Sequence, residues 1–449
     1  MKKLIALLLA LVMVFALAAC GSEAKPAAEE KTEEPAPAAE VKEEAPVAEA
    51  PAEVEAGADT VEMSASEATD KADFKVGVVL IGDENEGYTF SHIDGVVKAL
   101  ANMGMDESCV IWKYTIPESE LCYDACVDCA EQGCQLVITN SYGHQSYCQQ
   151  AAEEYPDTQF VSMTGDTARA SGLANFHNAF TGIYEARYVG GVVAGLKIKE
   201  LEANGQIPAT GVDENGNYKI GYVGAYPYAE VVSGYTAFFL GIKSVVPNVV
   251  MDVQYTNSWF DITGENEAAV ALMNRGCFII GQHADSTGAP SACEAAYKAG
   301  NTVFSVGYNV DMLTVAPNAA LTSPTNIWAV YYQQIFEAVL AGEAFPQNWS
   351  AGYEADAVKI TDLGPSCAAG TAEAVEAVIA DIKAGNLHVF DTKNFTVGGA
   401  EVTSAFATDT DGDWVNDADE AVFDGYFHES YFQSAPAFAL RIDGITELN

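Results

Sequence analysis

The chain has 449 residues, 64 of them acidic against 21 basic, for a formal net charge of −43 at neutral pH. That balance argues against nucleic acid or an anionic lipid surface as a partner, since either would repel the chain. With 49% hydrophobic and 10% aromatic residues the composition also excludes a wholly disordered protein.

Residues 1–20, MKKLIALLLALVMVFALAAC, begin with Lys2 and Lys3, continue as an apolar run short for a membrane span, and close on Leu17, Ala18, Ala19 and Cys20. This is the layout of a secretory signal peptide. Its end resembles a bacterial lipobox, in which Cys20 is lipidated and becomes the mature N-terminus. The expected location is the extracytoplasmic face of the cell membrane, held there by the lipid. Residues 21–73 turn to Ala, Glu and Pro with no periodic apolar face, the composition of a disordered tether. About fifty such residues reach on the order of 40 Å.

From Phe74 the chain alternates short aliphatic runs with helical stretches. FKVGVVLIG, CVIWKYTIP, CQLVITNS and TQFVSMTG read as strands; HIDGVVKALANMG, SELCYDACVDCAEQG and GHQSYCQQAAEEYP read as helices. The rhythm restarts after ANGQIPATGVDENGNYK with IGYVGAY, EVVSGYTAFFLGIKSVVP, VVMDVQYTNSWF, ENEAAVALMNRG, CFIIGQH and TVFSVGYN. Such alternation predicts an α/β protein of two doubly wound parallel-sheet lobes joined by a hinge, with a small β-rich C-terminal extension. The expected division places lobe 1 at 74–185 plus about 305–330. Lobe 2 falls at about 186–304, the chain crosses back near 330–390, and the extension covers 391–449.

Cys122, Cys126 and Cys129 have a Cys-x3-Cys-x2-Cys spacing similar to the cluster-binding signature of radical S-adenosylmethionine enzymes. On a regular helix, however, positions i, i+4 and i+7 share one face and cannot readily converge on one cluster. The position before the last cysteine, usually aromatic in that signature, is Asp128. A buried stripe of small sulfurs is the expectation.

In an open α/β sheet, ligands bind beyond the carboxyl ends of the strands. Those tips read GDENEGYTF, TNSYGH, TNSWFD, GQHADS and GYNVDM, rich in aromatics, amides and carboxylates. Two facing sets would enclose a small-molecule cleft with flat apolar walls.

These residues resemble the basic membrane protein family of ABC-importer substrate-binding lipoproteins, its purine nucleoside- and nucleobase-binding group. The likeness covers about residues 74–390. It is carried by GYTFSHIDG (87–95), IYEARYVGGVVAG (183–195), GYVGAYPYAEVVSGYTAFFLGIKSVVP (221–247), NSWFD (257–261), QHADS (282–286), GYNVDM (307–312), LTS (321–323) and GNLHVFD (385–391). The resemblance implies a hinged clamp, type 1 periplasmic-binding-protein-like, that hands a purine to membrane permease subunits. The base would stack between Tyr88 and Trp259. Thr89 stands where nucleoside binders carry a base-reading amide, Ser141 and Tyr142 on the third-strand tip, and Asp285 and Ser286 on the glycine-rich tip of lobe 2. Phe90 and Asp311 belong to the same expected ligand-binding set. At the sugar-binding end, where the family places an Asp and a Lys, this chain carries Asn309 and residues 325 and 326, which favours a free base over a nucleoside. Asp261, Asp311 and Glu185 could equally cap helices or close the hinge.

The extension carries Asp409, Asp411, Asp413, Asp417 and Glu420 at positions 1, 3, 5, 9 and 12 of a calcium-loop template, but Trp414 occupies the position that needs glycine. A calcium site and a solvated acidic hairpin both stay open; no other cofactor is expected. The tips lack a G-x-S-x-G elbow or a His-Glu-x-x-His pair. The expectation is therefore a monomeric binding protein without catalytic residues. A surface sensor using the same cleft and a nucleoside-processing enzyme are the alternatives.

Overall fold

The computed structural model describes residues 61–407 and 419–449. Cys20, the leader, the tether up to residue 60, and Asp409, Asp411, Asp413 and Asp417 lie outside the described residues.

Two six-stranded sheets, each wholly parallel, carry the chain. The first contains β1 (Val76–Val79), β2 (Val110–Lys113), β3 (Leu136–Thr139), β4 (Gln159–Met163) and β5 (Phe176–Thr181). The second contains β6 (Tyr218–Gly224), β7 (Val249–Tyr255), β8 (Ile279–Gln282), β9 (Phe304–Val306) and β10 (Ala320–Thr322). After β11 (Pro324–Asn326), β12 (Asn348–Ala351) returns to the first sheet, and β13 (Val358–Ile360) pairs antiparallel with β11 between the lobes. The sheet orders are β12-β5-β4-β3-β1-β2 and β10-β9-β8-β6-β7, the latter continued by a C-terminal strand, Ile445–Glu447, parallel to β7.

Among the described residues ten helices wind around these sheets: α1 (Gly87–Asn102), α2 (Glu120–Glu131), α3 (Gln145–Glu154), α4 (Ala168–Ser171), α5 (Ile183–Ala203), α6 (Ala229–Val245), α7 (Ile262–Asn274), α8 (Gly288–Lys298), α9 (Ala329–Ala341) and α10 (Thr371–Lys383). Strands β1 and β3, VGVV and LVIT, are buried along their whole length, as unbroken aliphatic runs in a parallel sheet covered on both faces should be. Helices α5 and α6 cross where Gly191 meets Gly241, so close that a Cβ on either would strike the other helix's backbone.

The cysteine stripe is packing. Cys122, Cys126 and Cys129 are buried on α2 with Cys134 and Cys148, against Val79, Val137, Phe160 and Phe176. Cys129 lies over Gly77 of β1, where any side chain would collide with it, so a small sulfur is what lets the helix approach the sheet.

The lobe boundaries differ from the expected ones. Residues 304–306 and 320–322 complete the sheet of lobe 2, and 329–351, comprising α9 and β12, rejoin lobe 1. The chain thus crosses between lobes three times: at Gly182, along β11, and between β12 and β13. Gly182 N–H donates to Ala351 O at 2.7 Å and Ile327 N–H to Ala357 O at 2.7 Å, binding the crossovers together. The extension is not separate either, since its last strand lies on the edge of lobe 2.

Candidate functional site

The carboxyl ends of both sheets face each other across a narrow cavity of about 30 Å³. Its walls include Tyr88, Asn140, Ser141, Tyr142 and Thr164 from lobe 1, and Glu230, Trp259, His283, Asp285 and Tyr308 from lobe 2, with Ile81 and Glu86 below α1. The lobes touch at its rim, where Gly87 N–H donates to Asp285 O at 3.4 Å and the rings of Tyr142 and Tyr228 lie 5.8 Å apart.

Each principal ring is fixed from behind. Tyr88 shares a 3.0 Å hydrogen bond between its hydroxyl and Thr164 Oγ1, and meets His92 edge-on at 4.5 Å. His92 in turn stacks on Trp328 at 4.4 Å, and Trp328 Nε1 donates to Ser91 Oγ at 3.1 Å. Burial holds the His92 imidazole well below its usual range, so it packs as a neutral ring. In lobe 2, Trp259 packs against Tyr226 at 5.1 Å and Tyr228 at 6.2 Å, and its carbonyl accepts from Asp285 N–H at 2.8 Å.

Three carboxylates line the cavity, and among the described residues no lysine or arginine does. Glu86 caps α1, accepting from the amides of Tyr88 at 3.0 Å and Thr89 at 2.9 Å; burial nevertheless raises it above the ordinary carboxyl range. Glu230, in the first turn of α6, is pushed up to about 7 by burial, partly offset by the Arg187 charge. Asp285 is raised by burial and then by the neighbouring charges of Glu86, Glu265 and Glu230. His283 Nε2 lies 3.3 Å from Glu230 Oε1, but burial and Arg187 keep its ring neutral. Arg187 sits behind the wall, donating to Tyr222 Oη at 2.5 Å and Gln282 O at 3.0 Å, with its guanidinium 3.8 Å from the centre of the Tyr308 ring.

Of the ten residues expected to bind ligand, the structure brings Tyr88, Ser141, Tyr142, Trp259 and Asp285 to the cavity. Ser141 Oγ donates to Glu118 at 2.6 Å and Tyr142 Oη to Asp166 at 2.8 Å. Thr89 is turned away and fully buried, its hydroxyl accepting from Asn140 Nδ2 at 3.3 Å. Phe90 is 43% exposed on the outer side of α1, because two helical positions rotate it about 200° from Tyr88. Ser286 is occupied with local bonding: its amide donates to Glu265 and its hydroxyl accepts from Gly288 N–H at 3.0 Å. Asp311 caps a short 3-10 turn through Leu313 N–H at 2.9 Å. Asn309, at φ +60°, lies one layer back: its Nδ2 donates to Asp285 at 2.8 Å and its Oδ1 accepts from Asn326 Nδ2 at 2.8 Å. Asn326 then accepts from Thr181 of lobe 1 at 2.5 Å, so this chain of amides links the cleft to the hinge. Glu420 binds its own surroundings, accepting from Ala405 N–H at 2.8 Å and Val422 N–H at 3.0 Å. Among the described residues no group of three or more metal-ligating side chains converges.

Sequence reasoning missed Ile81, Glu86, Asn140, Thr164, Glu230, His283 and Tyr308 as wall residues. A signal for two of them existed: Glu86 and Glu230 stand at corresponding places, each where a strand-tip loop enters the helix that follows the first strand of its lobe.

Hinged parallel lobes with an aromatic, acid-lined cavity at the strand tips define a solute-binding clamp. Comparison with known proteins makes the class specific. Residues 75–375 match the Bmp family, described as ABC transporter substrate-binding protein PnrA-like, and the chain belongs to that family. It is 32% identical over 319 residues to a purine-binding protein of Brucella abortus, spanning 70% of this chain and 83% of that one. It is also 32% identical over 237 residues to a Haloferax volcanii protein provisionally named an ABC transporter glucose-binding protein, spanning 53% and 54% of the two chains. A solved ABC-transporter solute-binding protein of Aeropyrum pernix superposes with a TM-score of 0.59 at 16% identity, covering 71% of this chain and 93% of that one, and shows the shared fold. Proteins of this family bind small molecules outside the cytoplasm and deliver them to ABC permeases. No helix among the described residues is long and apolar enough to cross a membrane.

Proposed function

We propose that this chain captures a purine, as the free base in preference to the nucleoside, and presents it to an ABC permease from a lipid anchor at Cys20. The observation that carries this reading is that Tyr88 of lobe 1 and Trp259 of lobe 2 line one cavity with three carboxylates. Aromatic walls suit a flat heterocycle, and carboxylates accept hydrogen bonds from its ring N–H and amino groups. The name of the Brucella abortus relative points the same way. A free base is favoured because Asn309 and Asn326, at the end assigned to a sugar, are bonded to each other and to Asp285 and Thr181.

Aromatic rings and carboxylates also suit a sugar, and the Haloferax volcanii relative's name supports that second reading. Mass spectrometry of the small molecule released on denaturing the purified protein separates the two. A purine supports the proposal; a hexose without purine overturns it. Fatty-acid labelling that disappears in Cys20→Ala tests the anchor.

A further inference from the structure

The family match ends at residue 375, yet the chain beyond it grips both lobes. At its centre, residues 432–438 are all buried without forming helix or strand. A buried irregular segment has to satisfy its amides locally. Here Ala437 and Phe438 N–H donate to the Glu429 carboxylate at 2.7 and 2.9 Å, and Ala435 N–H donates to Gly165 O at 3.1 Å. Phe438 stacks on Phe390 at 4.2 Å.

One end holds a loop that lines the cleft, the other a loop that backs a lining residue. On lobe 1, Gly165 stands between Thr164, partner of the Tyr88 hydroxyl, and Asp166, partner of Tyr142. Arg169 pairs with Asp419 at 2.6 Å, and Ser434 Oγ donates to Asn348 at 3.3 Å. On lobe 2, Arg441 donates to Pro227 O at 3.4 Å, between the two tyrosines that pack on Trp259. Beyond Arg441 the chain enters the sheet beside β7, where Glu447 accepts from Tyr235 at 2.7 Å and Tyr255 at 2.6 Å. The hold on lobe 2 is a strand ladder with half-buried hydrogen bonds. The hold on lobe 1 includes the partly exposed Arg169–Asp419 ion pair, the Arg169 guanidinium 5.4 Å from the centre of the Phe432 ring, and the bonds of Ala435 and Ser434, and its ion pair is the contact that water most readily replaces when the clamp opens.

We propose that residues 419–441 form a clasp that positions the Thr164 wall and the 226–228 loop that backs Trp259 against each other and sets how far the ligand-free clamp opens and how fast a solute leaves. The second half of this rests on the cleft being a solute site; the first does not. The test is pulsed electron resonance between spin labels carried on non-natural residues at exposed Ala101 of α1 and Glu267 of α7, in the full chain without ligand. Arg169→Gln and Asp419→Asn should each shift the distance distribution to longer separations. Arg275→Gln, which breaks an ion pair with Asp252 within lobe 2, should leave it in place. Solute dissociation followed by stopped flow should quicken about tenfold in the first two variants, the value of one charge-assisted hydrogen bond. Distributions unchanged in both clasp variants would overturn the proposal. A shifted distribution in a protein that binds no purine would uphold the clasp and sink the purine reading alone.

Discussion

Replacing Glu230 by glutamine should stabilise the ligand-free protein while weakening its hold on solute. The Glu230 side chain is only 12% exposed and its nearest basic group is the neutral His283. Burial lifts its carboxyl from 4.5 to about 7. Between those values the native state keeps a proton that the unfolded chain has lost. Stability is therefore full below about pH 4.5 and falls as pH rises to about 7. That rise corresponds to about 3 kcal/mol lost above neutrality, as an order of magnitude. A glutamine carries no charge to desolvate. Urea unfolding should thus show Glu230→Gln more stable than the parent by up to about 3 kcal/mol at about pH 8, with the difference vanishing near pH 4.5. A variant less stable at the higher pH, or a difference independent of pH, would refute the reasoning. A cost of this kind is expected of a group retained for binding.

Trp259→Ala should lower solute affinity at least about tenfold by calorimetry while leaving the melting temperature near that of the parent, since the ring is only partly buried. Asn309→Ala should destabilise by about 3 kcal/mol in urea unfolding, because it strands Asp285 and Asn326 and puts a Cβ-branchless but non-glycine residue at φ +60° without the local hydrogen bonding that lets asparagine sit there. Gly241→Ala should cost about 3 kcal/mol by the same assay, since the added methyl strikes the backbone of α5 at Tyr188. Of the nine thiols in the described residues, brief labelling of the native protein should modify Cys109 and Cys367, which are half-buried, and spare the other seven; peptide mapping that finds Cys126 or Cys129 labelled first would contradict the packing assigned to α2.

The sheets were legible because aliphatic runs such as VGVV and LVIT leave little choice but a covered parallel strand. Trp259, in the loop that follows β7, and Tyr88, at the start of α1 beyond the tip of β1, were legible because each stands in an aromatic-rich stretch on the carboxyl side of its strand. Errors arose where tertiary packing decides. Phe90 lies two positions from the cleft residue Tyr88 and Asp311 three from Tyr308, yet helical phase and a turn carry them away. Strand Ile445–Glu447 is three residues long and shows no periodicity by which to read it. The rhythm of lobe 2 runs on through TVFSVGYN, which holds β9, but no local pattern marks β10 as a member of that lobe, and only its pairing with β9 places it there. Glu86, the N-cap of α1, and Glu230, in the first turn of α6, stand where acids are ordinary at helix starts, and only the facing of the two lobes turns them into walls.

Isothermal titration of the protein, freed of copurifying solute, against adenine, guanine, adenosine, guanosine and glucose tests the central claim most directly. One equivalent of a purine base should bind, more tightly than its nucleoside, and the heat should collapse in Trp259→Ala. Binding of glucose with no response to any of the four purines would contradict it.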